Sequence, residues 1–340
     1  MMLIEETQSE VGAAFDQYLR FGFGGLTRHD REVMRARYVA DPRMSMELAA
    51  RGIQASQSVG SGSGGGYSVP DEAMPSIVEA LKAFGGMRTV STVVQTRSGA
   101  DLPIPTDDDT SAVGEIINEN TEHAEGDIAF GQVILQGFLY SSKIIKVSRQ
   151  FLQDFNGDVA AYLGQKIGAR IGRIQNTHFT TGDGSSKPRG IVTASTLGKT
   201  AGSATVIAYD ELVDLMHAVD PAYQANGQWM FNFTTLGMIH KLTDSNSQPL
   251  WGPMDSEGPD TILGRPYIIN QDMPDATTGS KSLLYGDLLN YHIRDVGNVI
   301  VLRLDERFAD KLQVGFIGFM RSDGDLVDAG TNPVKHLIQA

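Results

Sequence analysis

The chain has 340 residues, of which 41% are hydrophobic and 20% charged, and its formal net charge is −13. This acidity argues against a general nucleic-acid binder, which needs basic surface to neutralise phosphates. The absence of cysteine excludes disulfides and cysteine-bound metals, and no apolar run approaches the roughly 18 residues of a membrane span.

Residues 1–66 are predicted to form an N-terminal arm that ends in a flexible linker. One helix is predicted at about residues 9–20, and a second at about 28–38 after a capping box at residues 27–30. The Gly-rich stretch 58–66 lacks the preceding strand and the Gly-Lys-Ser/Thr ending of a phosphate-binding loop. Helices of this length are not stable alone, so we expect the arm to order only on other subunits or on a scaffold.

The folded body is predicted to begin at residue 67. Apolar residues at helical spacing predict a short helix before Gly85, and residues 89–96, TVSTVVQT, predict a strand. A long acidic segment follows.

Residues 98–142 contain nine acids and no Lys or Arg. Strand patterns lead out at residues 89–96 and back at 127–148, which predicts a long two-stranded excursion. Such a ribbon is marginal in water alone, so it needs another surface to lie on. The acids singled out are Asp107, Asp108, Asp109, Glu115, Glu119, Glu122 and Glu125.

Residues 148–182 carry an apolar stripe at four-residue spacing that predicts one long helix of roughly 50 Å. Ser148 is expected to cap its start, and Gly182 to end it in the left-handed conformation. Gly164, Gly168 and Gly172 form a second stripe. Each costs about 1 kcal/mol relative to Ala, which indicates either close packing of another element, a required bend, or simply a weak, kinked helix.

Residues 201–286 read as a compact α/β unit, with helices at 209–219 and 235–242 and strands at 228–233 and 266–270. Two long strands are predicted at 291–304 and 313–321, and a last one at 334–338.

No pattern predicts catalysis or a bound cofactor. Residues 107–109 are three consecutive Asp that offer oxygen ligands to a hard cation, but they lack the spacing and closing Glu of a calcium loop. Neither a Gly-x-Ser-x-Gly elbow nor a His-Glu-x-x-His helix occurs. We therefore expect no metal site, no cofactor and no enzyme.

Four stretches in order resemble one known family. They are GGGYSVPDE at 64–72, the loop-to-helix run at 101–155, HFTTGDGSSKPRGI at 178–191 and WMFNFTTLGMIHKLTDSNSQPLW at 229–251. Together they resemble the major capsid proteins of tailed bacteriophages with the Hong Kong 97-type fold.

The resemblance implies an α+β fold with named parts. Residues 1–66 would be the arm and 98–142 an extended loop. The peripheral domain would comprise residues 67–97, 143–200 with the long spine helix, and 287–326. The axial domain would comprise residues 201–286, with the strand in 327–340 returning to it.

The implied function is a non-enzymatic shell protein that assembles as hexamers and pentamers into an icosahedral head around double-stranded DNA, without sequence-specific binding. The implied partners are other copies of the chain, a separate scaffolding protein, a portal protein and a decoration protein, with no membrane. The protein would reside in the virion capsid after assembly in the host bacterial cytoplasm.

Two family features do not carry over. Some members crosslink a loop Lys to a neighbouring Asn, but residues 98–142 contain no Lys. The region before Gly64 is also shorter than a cleaved scaffolding segment, so we expect a retained arm.

The charge distribution predicts how copies meet. Residues 143–189 carry eight Lys and Arg against three Asp, a balance of +5. Under the resemblance, one subunit's acidic loop crosses the next subunit's spine region, so we expect it to meet the basic face formed by Lys166, Arg170 and Arg173.

Two alternatives remain open from sequence. One is an encapsulin-type bacterial compartment shell, and the other, from a different class, is a soluble metal-dependent hydrolase.

Overall fold

The computed structural model describes residues 2–38, 66–68, 77, 79, 81, 86–108, 129–155, 158–243 and 261–340. For residues 2–9, 23, 34–38, 66–68, 107–108 and 129–130 the description is limited to the backbone. This part of the chain forms two six-stranded sheets and a two-stranded ribbon.

The helices of the described residues are α1 (Met2–Phe21), α2 (Arg28–Tyr38), α3 (Gly86–Val90), α4 (Arg149–Asp154), α5 (Val159–Thr181), α6 (Ile191–Ala194), α7 (Tyr209–Ala218) and α8 (Phe233–Ile239). The strands are β1 (Gly66–Ser68), β2 (Thr92–Thr96), β3 (Leu102–Asp108), β4 (Ala129–Leu135), β5 (Phe138–Ser141), β6 (Ile145–Ser148), β7 (Thr196–Thr200), β8 (Gln228–Phe231), β9 (Thr261–Ile262), β10 (Arg265–Ile269), β11 (Lys281–Gly286), β12 (Tyr291–Leu304), β13 (Gln313–Leu326) and β14 (Val334–Ile338).

A long hairpin forms the centre of the first sheet. β12 and β13 pair antiparallel from Tyr291 opposite Leu326 to Leu304 opposite Gly315. β1 and β2 add to β12, whereas β5 and β6 add to β13. The predicted strand at 291–304 is confirmed, and the one at 313–321 continues to Leu326.

The second sheet has the order β7-β14-β11-β8-β10-β9. It contains the strands expected for the α/β unit, and the final strand at 334–338 returns to it as predicted. β7 also belongs to this sheet, since it pairs parallel with β14. Residues 196–200 therefore lie in the second sheet, whereas the resemblance placed them in the peripheral domain with the spine helix.

The ribbon formed by β3 and β4 confirms a two-stranded excursion, but its outgoing strand is β3 rather than the predicted residues 89–96, whose strand β2 pairs with β12. The two strands pair from Leu102 opposite Leu135 to Asp108 opposite Ala129. The return run at 127–148 is three strands rather than one, because β5 and β6 pair with β13 instead of β3. Lys143, with φ of 58°, lies in the break between β5 and β6.

The predicted single helix over residues 148–182 is wrong in its extent, because two helices occupy this stretch. Ser148 caps α4, accepting from the Phe151 amide at 3.1 Å, and Asp158 caps α5, accepting from the Ala161 amide at 2.9 Å. Asp is among the residues most favoured at a helix start, so it begins a new helix here. We keep the name spine helix for α5, whose 23 residues span roughly 35 Å.

The expected left-handed ending at Gly182 is also wrong. Its φ is −58°. A Cβ there would overlap the backbone oxygens of His178 and Pro188, so close chain approach explains the glycine.

The spine helix packs on the first sheet through its apolar stripe. Val159, Leu163, Ile167 and Ile171 are at most 2% exposed. A Cβ on Gly318 of β13 would overlap Ile167, which shows how closely the helix approaches the sheet.

The expectation that the arm orders only on other subunits is wrong for α1. Phe15, Tyr18 and Leu19 are at most 2% exposed and share one apolar cluster with the spine helix. Asp16 Oδ1 accepts from the Val159 amide at 3.2 Å, and Arg20 donates to the Phe155 carbonyl at 2.8 Å. α1 therefore belongs to the body of its own chain.

Two shorter predictions are resolved along the N-terminal half. The capping box of α2 is confirmed, with the Thr27 amide donating to Asp30 Oδ2 at 3.0 Å and the Asp30 amide donating to Thr27 Oγ1 at 3.2 Å. Part of the stretch predicted as a strand at 89–96 is helical, since α3 ends at Val90 and β2 starts at Thr92. Most of the predicted linker and of the helix before Gly85 lies outside the described residues.

Candidate assembly surfaces

One buried arginine holds the root of the extended loop. Arg294 on β12 is 2% exposed, and its guanidinium makes five hydrogen bonds of 2.6–3.0 Å. They reach both strands of the loop where it leaves the sheet. The acceptors are Thr96 Oγ1 and the carbonyls of Ser98, Ala100, Leu135 and Gln136.

Asp323, opposite Arg294 on β13, completes the root. Its carboxylate accepts from the amides of Gln136 and Gly324. Burial raises its pKa to about 6, against the opposing effects of the two amides and of Arg294. Between about pH 4 and 6, Asp323 is therefore protonated in the folded chain and ionised in the unfolded chain. Its contribution to the free energy of unfolding increases as pH falls through that window.

A second buried pair joins the spine helix to the sheet beneath the loop root. Arg88 of α3 binds both carboxylate oxygens of Asp295, at 2.8 and 2.9 Å. The same guanidinium donates to Gln175 of the spine helix at 2.8 Å. Bidentate pairs of this kind fix orientation as well as adding energy, so three elements are held in register.

The acids of the loop are only partly within the described chain. Asp107 and Asp108 lie on β3, opposite Phe130 and Ala129. Asp109, Glu115, Glu119, Glu122 and Glu125 lie outside the described residues. That the seven form one acidic surface stays a prediction.

The basic residues of the spine helix lie on its exposed side. Lys166, Arg170 and Arg173 are all exposed. Arg170 donates to the Ser142 carbonyl at 3.3 Å, and the Lys166 ammonium lies 5.6 Å from the Tyr162 ring centroid. What this face meets in an assembly stays a prediction.

The glycine stripe is buried inside the chain. Gly164, Gly168 and Gly172 are buried, in a row that four-residue spacing continues to Ala160 and Asn176. Ala160 belongs to the cluster that includes α1, and Asn176 accepts from the Met87 amide of α3 at 3.0 Å. Elements of the same chain therefore flank the row at both ends.

Within the described residues, no group of three or more His, Asp or Glu side chains is arranged to hold a metal ion. Among the helices described, none combines the length and apolar character needed to cross a membrane.

Comparison with known proteins identifies the family. The family described as the phage capsid family matches residues 65–337, which is most of the chain. The chain belongs to the phage capsid family. The match leaves out residues 1–64 of this capsid protein, which contain α1 and α2.

Solved structures agree with the family assignment. The capsid of a native GTA particle is 26% identical, with a TM-score of 0.66 over 75% of this chain and 90% of that one. The Microbacterium phage Oxtober96 protein, at 15% identity, covers 75% of this chain and 91% of its own with a TM-score of 0.59. The Mycobacterium phage Bobi protein, also at 15%, covers 75% and 90% with a TM-score of 0.56. No curated protein sequence matches the chain.

These findings confirm the resemblance to tailed-phage major capsid proteins and the α+β fold of the Hong Kong 97 type. The protein is a major capsid protein that forms an icosahedral shell by association of its own copies, and it is a virion component.

The residues that hold the loop root were not among the sequence candidates. Arg294 and Asp323 at the root, and the Arg88–Asp295 pair beneath it, carry no motif. The available signal was the adjacent Arg-Asp pair inside YHIRDVGNVIVLRL, a strand that is otherwise largely apolar. Charges there require buried partners.

Proposed function

We propose that this capsid protein assembles as hexamers and pentamers in which the acidic extended loop of one copy lies on the basic spine face of the next. The family match over residues 65–337 carries the shell function. The contact itself is supported by charge, since the loop contains nine acids and no Lys or Arg, and Lys166, Arg170 and Arg173 are exposed on the spine helix.

The parts of the chain have distinct roles in this proposal. The first sheet, with the spine helix, is the peripheral domain, and the second sheet is the axial domain at the centre of each capsomer. The ribbon of β3 and β4 leaves the first sheet as the extended loop. β7 belongs with the axial domain, because its only described strand partner is β14.

Electrostatic pairs between copies act collectively. A single exposed pair contributes only about 0–1 kcal/mol. Repeated around every ring, several pairs add up and also fix the register of neighbouring copies. Residues 98–142 contain no Lys, so no lysine in this loop is available for a covalent bond to the neighbour, and the shell depends on noncovalent contacts there.

The particle encloses double-stranded DNA without sequence-specific binding, and the chain acts without catalysis. A net charge of −13 supports enclosure rather than adsorption of DNA. A separate scaffolding protein, a portal protein and a decoration protein complete the particle, which assembles in the host cytoplasm.

Negative-stain electron microscopy of the purified chain tests this function. We expect closed shells or rings of five and six subunits. Monodisperse monomers at every concentration would contradict it. In particles from the native source, nuclease-protected DNA is expected, whereas an enzyme cargo without DNA would indicate an encapsulin-type compartment.

A further inference from the structure

We propose that a cavity lined by three arginines, between the end of α1 and the β12–β13 hairpin, binds a carboxylate from the acidic loop of a second copy of this chain. This arginine cavity has a volume of about 410 Å³ and is lined by Arg20, Arg149, Arg303 and Asp305 together with one aromatic residue, Phe21, two glycines and Gln153. The proposal rests on the proposed function, because it names a further contact between copies.

Arg303 supplies the buried cation. Its side chain is 7% exposed and is paired with Asp305 at 2.9 Å. Its Nε is buried and has no hydrogen-bond partner among the described residues. Burial lowers the pKa of Arg303, Asp305 opposes this effect only in part, and the nearby Arg149 lowers the pKa further. A bound anion would offset both effects.

Arg149 supplies the exposed cation. Its backbone amide donates to the Leu312 carbonyl at 3.0 Å, which fixes its position beside the hairpin. Its guanidinium makes no hydrogen bond or ion pair with any described residue. Arg20 pairs with Asp16 at 2.6 Å and Arg303 pairs with Asp305 at 2.9 Å, so Arg149 alone of the three lacks an ion pair with a described residue. An incoming oxyanion therefore meets Arg149 first.

The cavity depends on a glycine at its wall. Gly22 has φ of +71°, and a Cβ there would overlap the Arg303 guanidinium. The backbone after α1 therefore turns closely around Arg303.

The acidic loop of a second copy fits this cavity best. A carboxylate matches the planar fork of a guanidinium, and residues 105–127 supply eight acids without a Lys or Arg. In its own chain that loop starts at the other end of β12, beside Arg294. Arg294 and Arg303 are nine residues apart in β12, about 30 Å at roughly 3.3 Å per residue.

DNA is a poorer fit. A duplex needs an extended basic surface to follow its phosphates, whereas this cavity is confined and one of its lining residues is an acid.

A binding experiment with the full-length, unassembled protein tests the proposal. The probe is a fluorescein-labelled peptide with the sequence of residues 105–127, followed by fluorescence anisotropy. We expect saturable binding, about tenfold weaker binding by Arg149→Gln, and no binding of a peptide whose acids are replaced by their amides. Arg307→Gln removes an exposed arginine from the same hairpin outside the cavity, and it should bind like wild type.

Equal peptide binding by wild type and Arg149→Gln would overturn the proposal. The proposal would also be overturned if a twenty-base-pair DNA duplex bound wild type, displaced the peptide and bound Arg149→Gln more weakly. Arg149 is exposed, so Arg149→Gln should unfold at the wild-type temperature, which separates lost binding from misfolding. Shells seen by microscopy without any peptide binding would refute the cavity contact, would also contradict the contact between the loop and the spine face, and would leave the shell function standing.

Discussion

Replacing Arg294 with Met is expected to lower the free energy of unfolding by about 3–5 kcal/mol, as expected when one partner of a buried charged network is removed. The five acceptors at the loop root lose their donor, and four of them are backbone carbonyls. Urea unfolding of the unassembled protein measures the loss. Limited proteolysis should also show faster cleavage between residues 98 and 137, because both strands of the loop lose their anchor.

Arg97→Met is the matched control. Arg97 lies beside the loop root, directly after β2, but its side chain is exposed. The stability and the cleavage rate of Arg97→Met should therefore stay near those of wild type. If Arg294→Met and Arg97→Met unfold at the same urea concentration and are cleaved at the same rate, Arg294 does not hold the loop root.

Replacing Phe15 with Ala is expected to destabilise the unassembled chain by about 3–5 kcal/mol, through lost burial and the cavity left behind. Phe15 is 2% exposed and packs in the cluster that α1 shares with the spine helix. Thermal or urea unfolding of the monomer measures the effect.

Phe21 ends the same helix but is 50% exposed, so Phe21→Ala should change stability little. Indistinguishable unfolding of the two variants would show that α1 is not docked on its own chain before assembly. For the same reason, we expect removal of residues 1–57 to expose apolar surface of the body rather than to leave it intact.

The spacing of apolar residues along the sequence was sufficient to predict much of the body. β12 and β14 have the predicted bounds, and α7 differs by one residue. These elements have strong apolar patterns that only one period fits.

Predictions were wrong where a local signal competed with the pattern. The apolar stripe runs from Phe151 to Ile171 without a gap, yet Asp158 starts a new helix within it. The spacing of apolar residues indicates which side of a helix is apolar, whereas the capping residue determines where the helix begins.

The sequence of α1 predicted a helix without indicating which chain covers its apolar residues. Its buried residues share one apolar cluster with Leu163 and Ile167, about 150 positions away, and no local pattern encodes that association. The contacts that hold the loop root could not be predicted from the sequence for a related reason. Arg294 binds mainly backbone carbonyls, which are present at every position and leave no signature in the sequence.

The surface residues remain the least predictable part. Lys166, Arg170 and Arg173 are exposed as their helical positions require, but exposure does not identify a partner. An assembly measurement is needed for that.

Particle yield across a salt series, for wild type and Arg170→Glu, tests most directly how copies of this protein are held together. Screening shortens to roughly 3 Å at 1 M salt, so wild-type yield should fall as salt rises. Arg170→Glu should lie below wild type at low salt and converge with it at high salt. Reversal of a loop acid, as in Glu119→Lys, should restore part of the loss.

Because Arg170 also donates to the Ser142 carbonyl, urea unfolding of the unassembled variant must match wild type for the comparison to hold. A falling wild-type curve with a lower Arg170→Glu curve is the predicted result. Two flat, coincident curves would contradict an electrostatic contact between the acidic loop and the spine helix.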